Sequence, residues 1–285
     1  MIAVMVTWLL VAEDADLTLS VNRTSICQRD PLVVKAVLAN HGEDLIKMTG
    51  KPARSNRIRY QQQINGKWIP LPSWSTRSGI GTMMPGSRGG DGQFIAKDAS
   101  CAEYDVIVLD SKDNFIFDKL GKSQIRAIAE TSVGQLTSAP VTIVVEPRKP
   151  EQLERIESAK KWLYLIGQDV PSHGSVPKQL VELRDVGGNI AKGIDQLLLV
   201  ERIRGGAESV GDENVAKFVR RHASGVDCEV TLILLGYHYN QRQDYKRLAQ
   251  VVEAIPDMTV MTREWEYYLD LRTPSRFVPG KQRDK

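Results

Sequence analysis

Only three cysteines occur in 285 residues, and no two are neighbours: Cys27, Cys101 and Cys228. That spacing excludes a zinc ribbon or a redox pair as a local motif. Histidine motifs are missing too: His41, His173, His222 and His238 form neither H-E-x-x-H nor H-x-H. No G-x-S-x-G nucleophile elbow occurs. Gly79-Ile80-Gly81 is not followed by the Lys-Ser or Lys-Thr that a phosphate cradle needs. Charge of one sign is also lacking. Basic and acidic residues number 16 and 15 in positions 1–147, leaving 22 and 20 in the rest, for a net charge of +3. Such balance gives no basic field for nucleic acid. No apolar run approaches the roughly 20 residues of a membrane helix.

The longest uncharged run is Ile2 to Val11, with Glu13, Asp14 and Asp16 directly after it. Its length suits the core of a signal peptide with cleavage near Ala12 or Ala15. No Lys or Arg precedes it, and a first β-strand is the competing reading. A signal over 1–15 implies an extracytoplasmic chain, periplasmic or secreted, with no transmembrane segment once mature. A strand implies a cytoplasmic one. In an exported protein Cys27 and Cys101 could form a disulfide; buried free thiols are the alternative.

At Val144-Val145-Glu146-Pro147-Arg148-Lys149-Pro150 the pattern changes. Upstream, apolar residues alternate and turn signals recur, as in strands; downstream they repeat every three or four residues, as in helices. Strands are expected at 17–21, 32–39, 58–64, 67–69, 104–109, 123–129 and 141–145. Asn65-Gly66 marks a tight hairpin, and Asn40-His41-Gly42 ends a strand. About seven strands over 16–147, with no helical pattern between them, predict an antiparallel β-sandwich.

Pro31-Leu32-Val33-Val34-Lys35-Ala36-Val37-Leu38-Ala39-Asn40 is similar to the second strand of bacterial immunoglobulin-like modules. Met83-Met84-Pro85-Gly86 resembles the turn before a middle strand. The segments 121–127 and 138–145 resemble the last two strands. The resemblance implies an immunoglobulin-like sandwich, of a type found mostly in exported proteins. The tryptophan and disulfide framework of antibody domains is not evident.

The stretch Leu71 to Gly92 holds Trp74, Arg77, Met83, Met84 and Arg88 among several glycines. Aromatic, Met and Arg residues dominate contact energy at interfaces, so these five are the candidate partner-binding loop. An irregular excursion tucked under the sandwich is the plainer alternative.

Beyond Pro150, Leu153, Ile156, Leu163 and Ile166 make one helical stripe that Gly167 should stop. A second period runs from Pro177 to Ile203, broken at Gly187-Gly188. Asp212 caps a further helix. Val230 to Tyr239 reads as a buried helix by its spacing, though its composition would suit a strand. Asp244 to Ile255 is amphipathic and Pro256 ends it. Short helices on short loops predict an α-helical hairpin domain over 148–271, with a basic tail at 272–285. Leu235-Gly236-Tyr237-His238-Tyr239 resembles the tetratricopeptide signature. Leu248 stands where that pattern wants a small residue, and no second copy follows.

No catalytic constellation, cofactor motif or metal set emerges. Glu266 and Asp270 share a helix face, as solvated carboxylates often do. The expectation is an exported, non-enzymatic protein-binding or assembly protein. A protease inhibitor is the alternative, by fold analogy alone; a hydrolase with an unrecognised site is the third reading.

Overall fold

A computed structural model describes residues 14–49, 58–71, 94–95, 97–110, 112–166, 175–204 and 226–254. In chain order the strands are β1 (Ala15–Val21), β2 (Ser25–Cys27), β3 (Leu32–Asn40), β4 (Ile46–Lys47), β5 (Ile58–Ile64), β6 (Lys67–Pro70), β7 (Phe94–Ile95), β8 (Ala99–Ile107), β9 (Gly121–Thr131), β10 (Gly134–Thr137) and β11 (Val141–Glu146). Helices follow: α1 (Pro150–Ser158), a 3-10 helix (Lys160–Leu165), α2 (Lys178–Val181), a 3-10 turn (Arg184–Val186), α3 (Gly188–Arg204), α4 (Val226–Gln241) and α5 (Tyr245–Ala254). The order is β then α. No described helix is long and apolar enough to cross a membrane.

Two main sheets form. One runs β1-β3-β8, all antiparallel. The other runs β2-β11-β9-β5-β6, with β10 also on β9. The period of two along each strand assigns every side chain to a face. Leu32, Val34, Ala36 and Leu38 of β3 join Ile107 of β8 in the cluster between the sheets, where Tyr60, Ile125, Ala127 and Ile143 meet them from the second sheet. The opposite parity, Val33 of β3 with Ala102, Tyr104 and Val106 of β8, belongs to a different cluster, made with Ile156, Leu163, Ile190, Ile194, Val230 and Leu235 of the helical segment. The helices therefore lie on the outer face of the first sheet, and β3 is covered on both sides. That explains why β3 is apolar at nearly every position. Each fully buried Ile or Leu contributes about 1.5–3 kcal/mol by leaving water.

The Asn65-Gly66 hairpin forms as expected, with φ of 51° and 76°, the left-handed pair a two-residue turn requires. It places Ile64 opposite Lys67 and Gln63 opposite Trp68. Val230 to Tyr239 lies in α4, and α4 and α5 form a helical hairpin.

Several elements differ from expectation. The helix read through to Gly167 ends at Ser158, whose hydroxyl bonds the Arg155 carbonyl at 2.7 Å. The next turns tighten to i→i+3 bonds, Trp162 to Ala159 and Ile166 to Leu163. The strand expected at 104–109 starts at Ala99, because β8 pairs along the whole of β3. β2, β4, β7 and β10 were not anticipated. β2 pairs parallel to β11, a contact no local pattern announces.

Cys27 and Cys101 are not bonded to each other, so of the two readings the separate thiols fit the structure. Cys27 lies on β2, just ahead of the Leu32 end of β3, whereas Cys101 sits opposite Leu38. Six residues of strand separate those levels, about 20 Å, and a disulfide cannot bridge Cα atoms more than about 7 Å apart.

Candidate functional site

Four polar constellations stand out among the described residues, and three of them are buried. The first ties the turn after β2 to the helical segment. Arg148 and Asp30 form an ion pair whose side chains are 2% and 1% exposed. The Asp30 carboxylate also accepts the amides of Cys27 at 3.0 Å and Asn189 at 3.2 Å. Arg148 donates to the carbonyls of Gln28 and Val186, each at 2.9 Å. Asn189 Nδ2 donates to the Pro31 carbonyl, while Asn189 Oδ1 is buried with no hydrogen bond. Gly188 closes the site at φ 66°; a Cβ there would stand 2.6 Å from Asp30 Oδ2 and 2.7 Å from Arg148 Nη2. The Gly187-Gly188 break thus has a cause, since only glycine fits against this pair. Burial pushes the Asp30 carboxyl up, and the Arg148 guanidinium and the two amides pull against it.

The same environment governs Cys27. Burial first, then the Asp30 carboxylate, raises its thiol. The thiolate is the reacting species, so Cys27 should be alkylated by iodoacetamide at pH 7.5 more slowly than a cysteine in an unstructured peptide. Peptide mapping over time reads the rate. Reaction as fast as the peptide's would contradict this placement.

The second constellation lies where α4 meets the first sheet. Glu229 Oε2 accepts Lys35 Nζ at 2.6 Å and the Tyr104 hydroxyl. Lys35 Nζ also stands 5.6 Å from the Tyr104 ring centre. A lysine in the middle of a covered strand is tolerable only with such partners.

The third lies between the sheets. Glu103 and Asp105 are buried on the inner face of β8, and Glu103 Oε2 accepts the Ile58 amide at 3.2 Å. The Tyr60 hydroxyl is buried beside the Asp105 carboxylate. Burial, then the charges of Asp105 and Glu103, hold its phenol well above the ordinary range. All three groups are sealed in a core, which suits architecture better than turnover.

The fourth is accessible. On the outer face of the second sheet, Trp68, Gln63, Gln124 and Thr142 form a row across β6, β5, β9 and β11. Four strands span about 14 Å. Beside that row, Gln61 is paired with Arg126. The Arg126 guanidinium stacks over Trp68, 4.2 Å from the ring centre, and its Nε donates to Gln61 Oε1 at 2.8 Å. Gln124 Nε2 donates to Thr142 Oγ1 at 3.3 Å. Trp68, Gln61, Gln63, Gln124 and Arg126 are all half-exposed. A cation–π contact and one hydrogen bond thus hold the guanidinium over a polar platform, with its two terminal nitrogens unused by any described residue.

The candidate loop residues Trp74, Arg77, Met83, Met84 and Arg88 lie outside the described residues, as do His173, His222, Glu266, Asp270, the basic tail and the N-terminal run up to residue 13. His41 is exposed, with Asp16 at 3.3 Å. Among the described residues no group of three His, Cys, Asp or Glu side chains is placed to hold a metal ion. Sequence reasoning missed the Trp68–Arg126 pair. The hairpin turn set Trp68 opposite Gln63, but the β5–β9 pairing that adds Arg126 is a long-range contact.

Fold and site together define a β-rich chain whose later helices cover one sheet while a polar face of the other stays half-open. No family model matches the chain, and no curated protein matches it. Among solved structures it is similar to the sporulation control protein Spo0M of Bacillus subtilis, with 10% identity and a TM-score of 0.29 over 52% of this chain and 55% of that one. It is similar to the alkylpurine DNA glycosylase AlkC of Pseudomonas fluorescens, with 8% identity and a TM-score of 0.27 over 47% of this chain and 30% of that one. A superoxide reductase (neelaredoxin) from Ignicoccus hospitalis shows 16% identity and a TM-score of 0.25 over 47% of this chain and 82% of that one. The chain thus spans about half of Spo0M and under a third of AlkC. Likenesses at this level carry no functional argument.

Proposed function

We propose that this chain is a non-enzymatic binding or assembly protein acting outside the cytoplasm. On this reading an immunoglobulin-like sandwich, backed by a helical layer, offers a sheet face to a protein partner. One observation carries it: Arg126, held over the Trp68 ring within a row of carboxamides on the outer face of the second sheet. Trp and Arg are the residue types richest in binding energy at interfaces, above all when locked before the partner arrives. The uncharged run Ile2 to Val11 supports the extracytoplasmic setting.

Site-specific photocrosslinking tests the reading. A photoreactive residue at Gln63, in the full chain and in an envelope fraction, should yield a discrete adduct with another protein. The same residue at exposed Glu151 should not. Equal, diffuse labelling from both positions would refute a partner on this face.

A further inference from the structure

We infer that the partner's anchoring group is a carboxylate, carried on an extended acidic protein segment and seated on the terminal nitrogens of Arg126; this rests on the binding reading above. The geometry of the guanidinium is the starting point. Its Nε is committed to Gln61, and its Cζ lies over the Trp68 ring. These contacts fix the fork in place while leaving its Nη edge without an ion pair among the described residues. A fixed fork of two parallel N–H donors matches one carboxylate bidentately.

Charge on the same face points the same way. Lys122, Arg59 and Arg126 share the outward parity of β9 and β5, with Glu130 on β9 and Glu146 on β11 as the acids of that face. Glu130 is engaged by Arg59. Three cations against two acids leave an excess of one positive charge, the sign that favours an anionic partner over a cationic one. One isolated guanidinium suits one carboxylate; a phosphoryl dianion would call for a cluster of cations.

The neighbouring groups suit a peptide. Among the described residues no hydrogen bond engages the Gln63 side chain, and Gln124 uses only its Nε2. Carboxamides carry both donors and acceptors, as the backbone of an extended segment does. The platform thus reads a charged side chain at Arg126 and main chain along the row.

The test titrates the full chain with a short extended peptide bearing one central glutamate, and with the same peptide bearing glutamine. The Trp68 indole N–H and Arg126 Nε–H resonances report occupancy. The glutamate peptide should shift both resonances and bind at least tenfold more tightly than the glutamine peptide, with the preference shrinking as salt rises. Arg126→Gln should erase the preference. Arg126→Lys keeps the charge but loses the fork, and should lose most of it. Unchanged melting temperatures for both variants would confirm that they fold. Equal binding of the two peptides, or none, would overturn the inference, as would a uronate oligosaccharide that shifts these resonances when the peptides do not. A protein adduct at Gln63 alongside either failure would keep the binding reading and discard only its carboxylate.

Discussion

Asp30→Ala should lower the unfolding free energy by about 3–5 kcal/mol, the usual cost of stripping one partner from a buried ion pair. The carboxylate meets Arg148 and two backbone amides in a site almost closed to solvent. Removing it strands a guanidinium charge and two amide donors together. Asp30→Asn should cost less, because its amide oxygen still accepts one of those donors. Arg148→Met reverses the problem. The Asp30 carboxyl already sits above its ordinary value, and without Arg148 burial pushes it further. A carboxyl raised on folding contributes most below its unfolded pKa and loses that contribution as pH rises through its folded value. The defect of Arg148→Met should therefore be largest near neutral pH and shrink on acidification. The double variant Asp30→Ala/Arg148→Met should be milder than the sum, since no unpaired charge remains. Urea titrations at two pH values read all four variants; additive losses would show that the pair is not coupled.

Tyr104→Ala should cost a comparable 3–5 kcal/mol, as large aromatic deletions in cores do. Tyr104 is 1% exposed on the central sheet and fills the cluster shared with the helices. Its hydroxyl adds a bond to the Glu229 carboxylate. Tyr104→Phe restores the ring and isolates that bond, so it should retain a deficit of about 1.5–3 kcal/mol, the range for hydrogen bonds to charged groups. Circular dichroism at the helical and strand wavelengths should fall at one midpoint in both variants. A loss in the strand signal alone would mean that Tyr104 does not bridge the layers.

Much of this architecture was legible in the residues. β3 announced itself by its β-branched run, the β5–β6 hairpin by Asn-Gly, and α4 by Leu232, Leu235 and Tyr239 at helical spacing. The apolar content of β3 on both parities also carried information: a strand with one wet face alternates, and this one does not. The cover could not be placed from local pattern, because the docking of α4 on Lys35 and Tyr104 joins residues far apart in the chain. β2 was invisible for the same reason, being three residues long and defined by a partner more than a hundred positions away. The candidate site was half legible. Trp68 opposite Gln63 follows from turn geometry, whereas Arg126 enters through the pairing of β9 with β5. Gly187-Gly188 was readable as a break, though its tight fit against Asp30 and Arg148 was not.

Native-state hydrogen exchange in low urea measures most directly whether the helices and the first sheet unfold as one body. Amides of β3, β8, α3 and α4 should lose protection together, with one free energy and one urea dependence, and Asp30→Ala should lower all four equally. Helical amides that exchange at a lower free energy, while β3 and β8 keep their own higher one, would contradict a sheet whose stability depends on its helical cover.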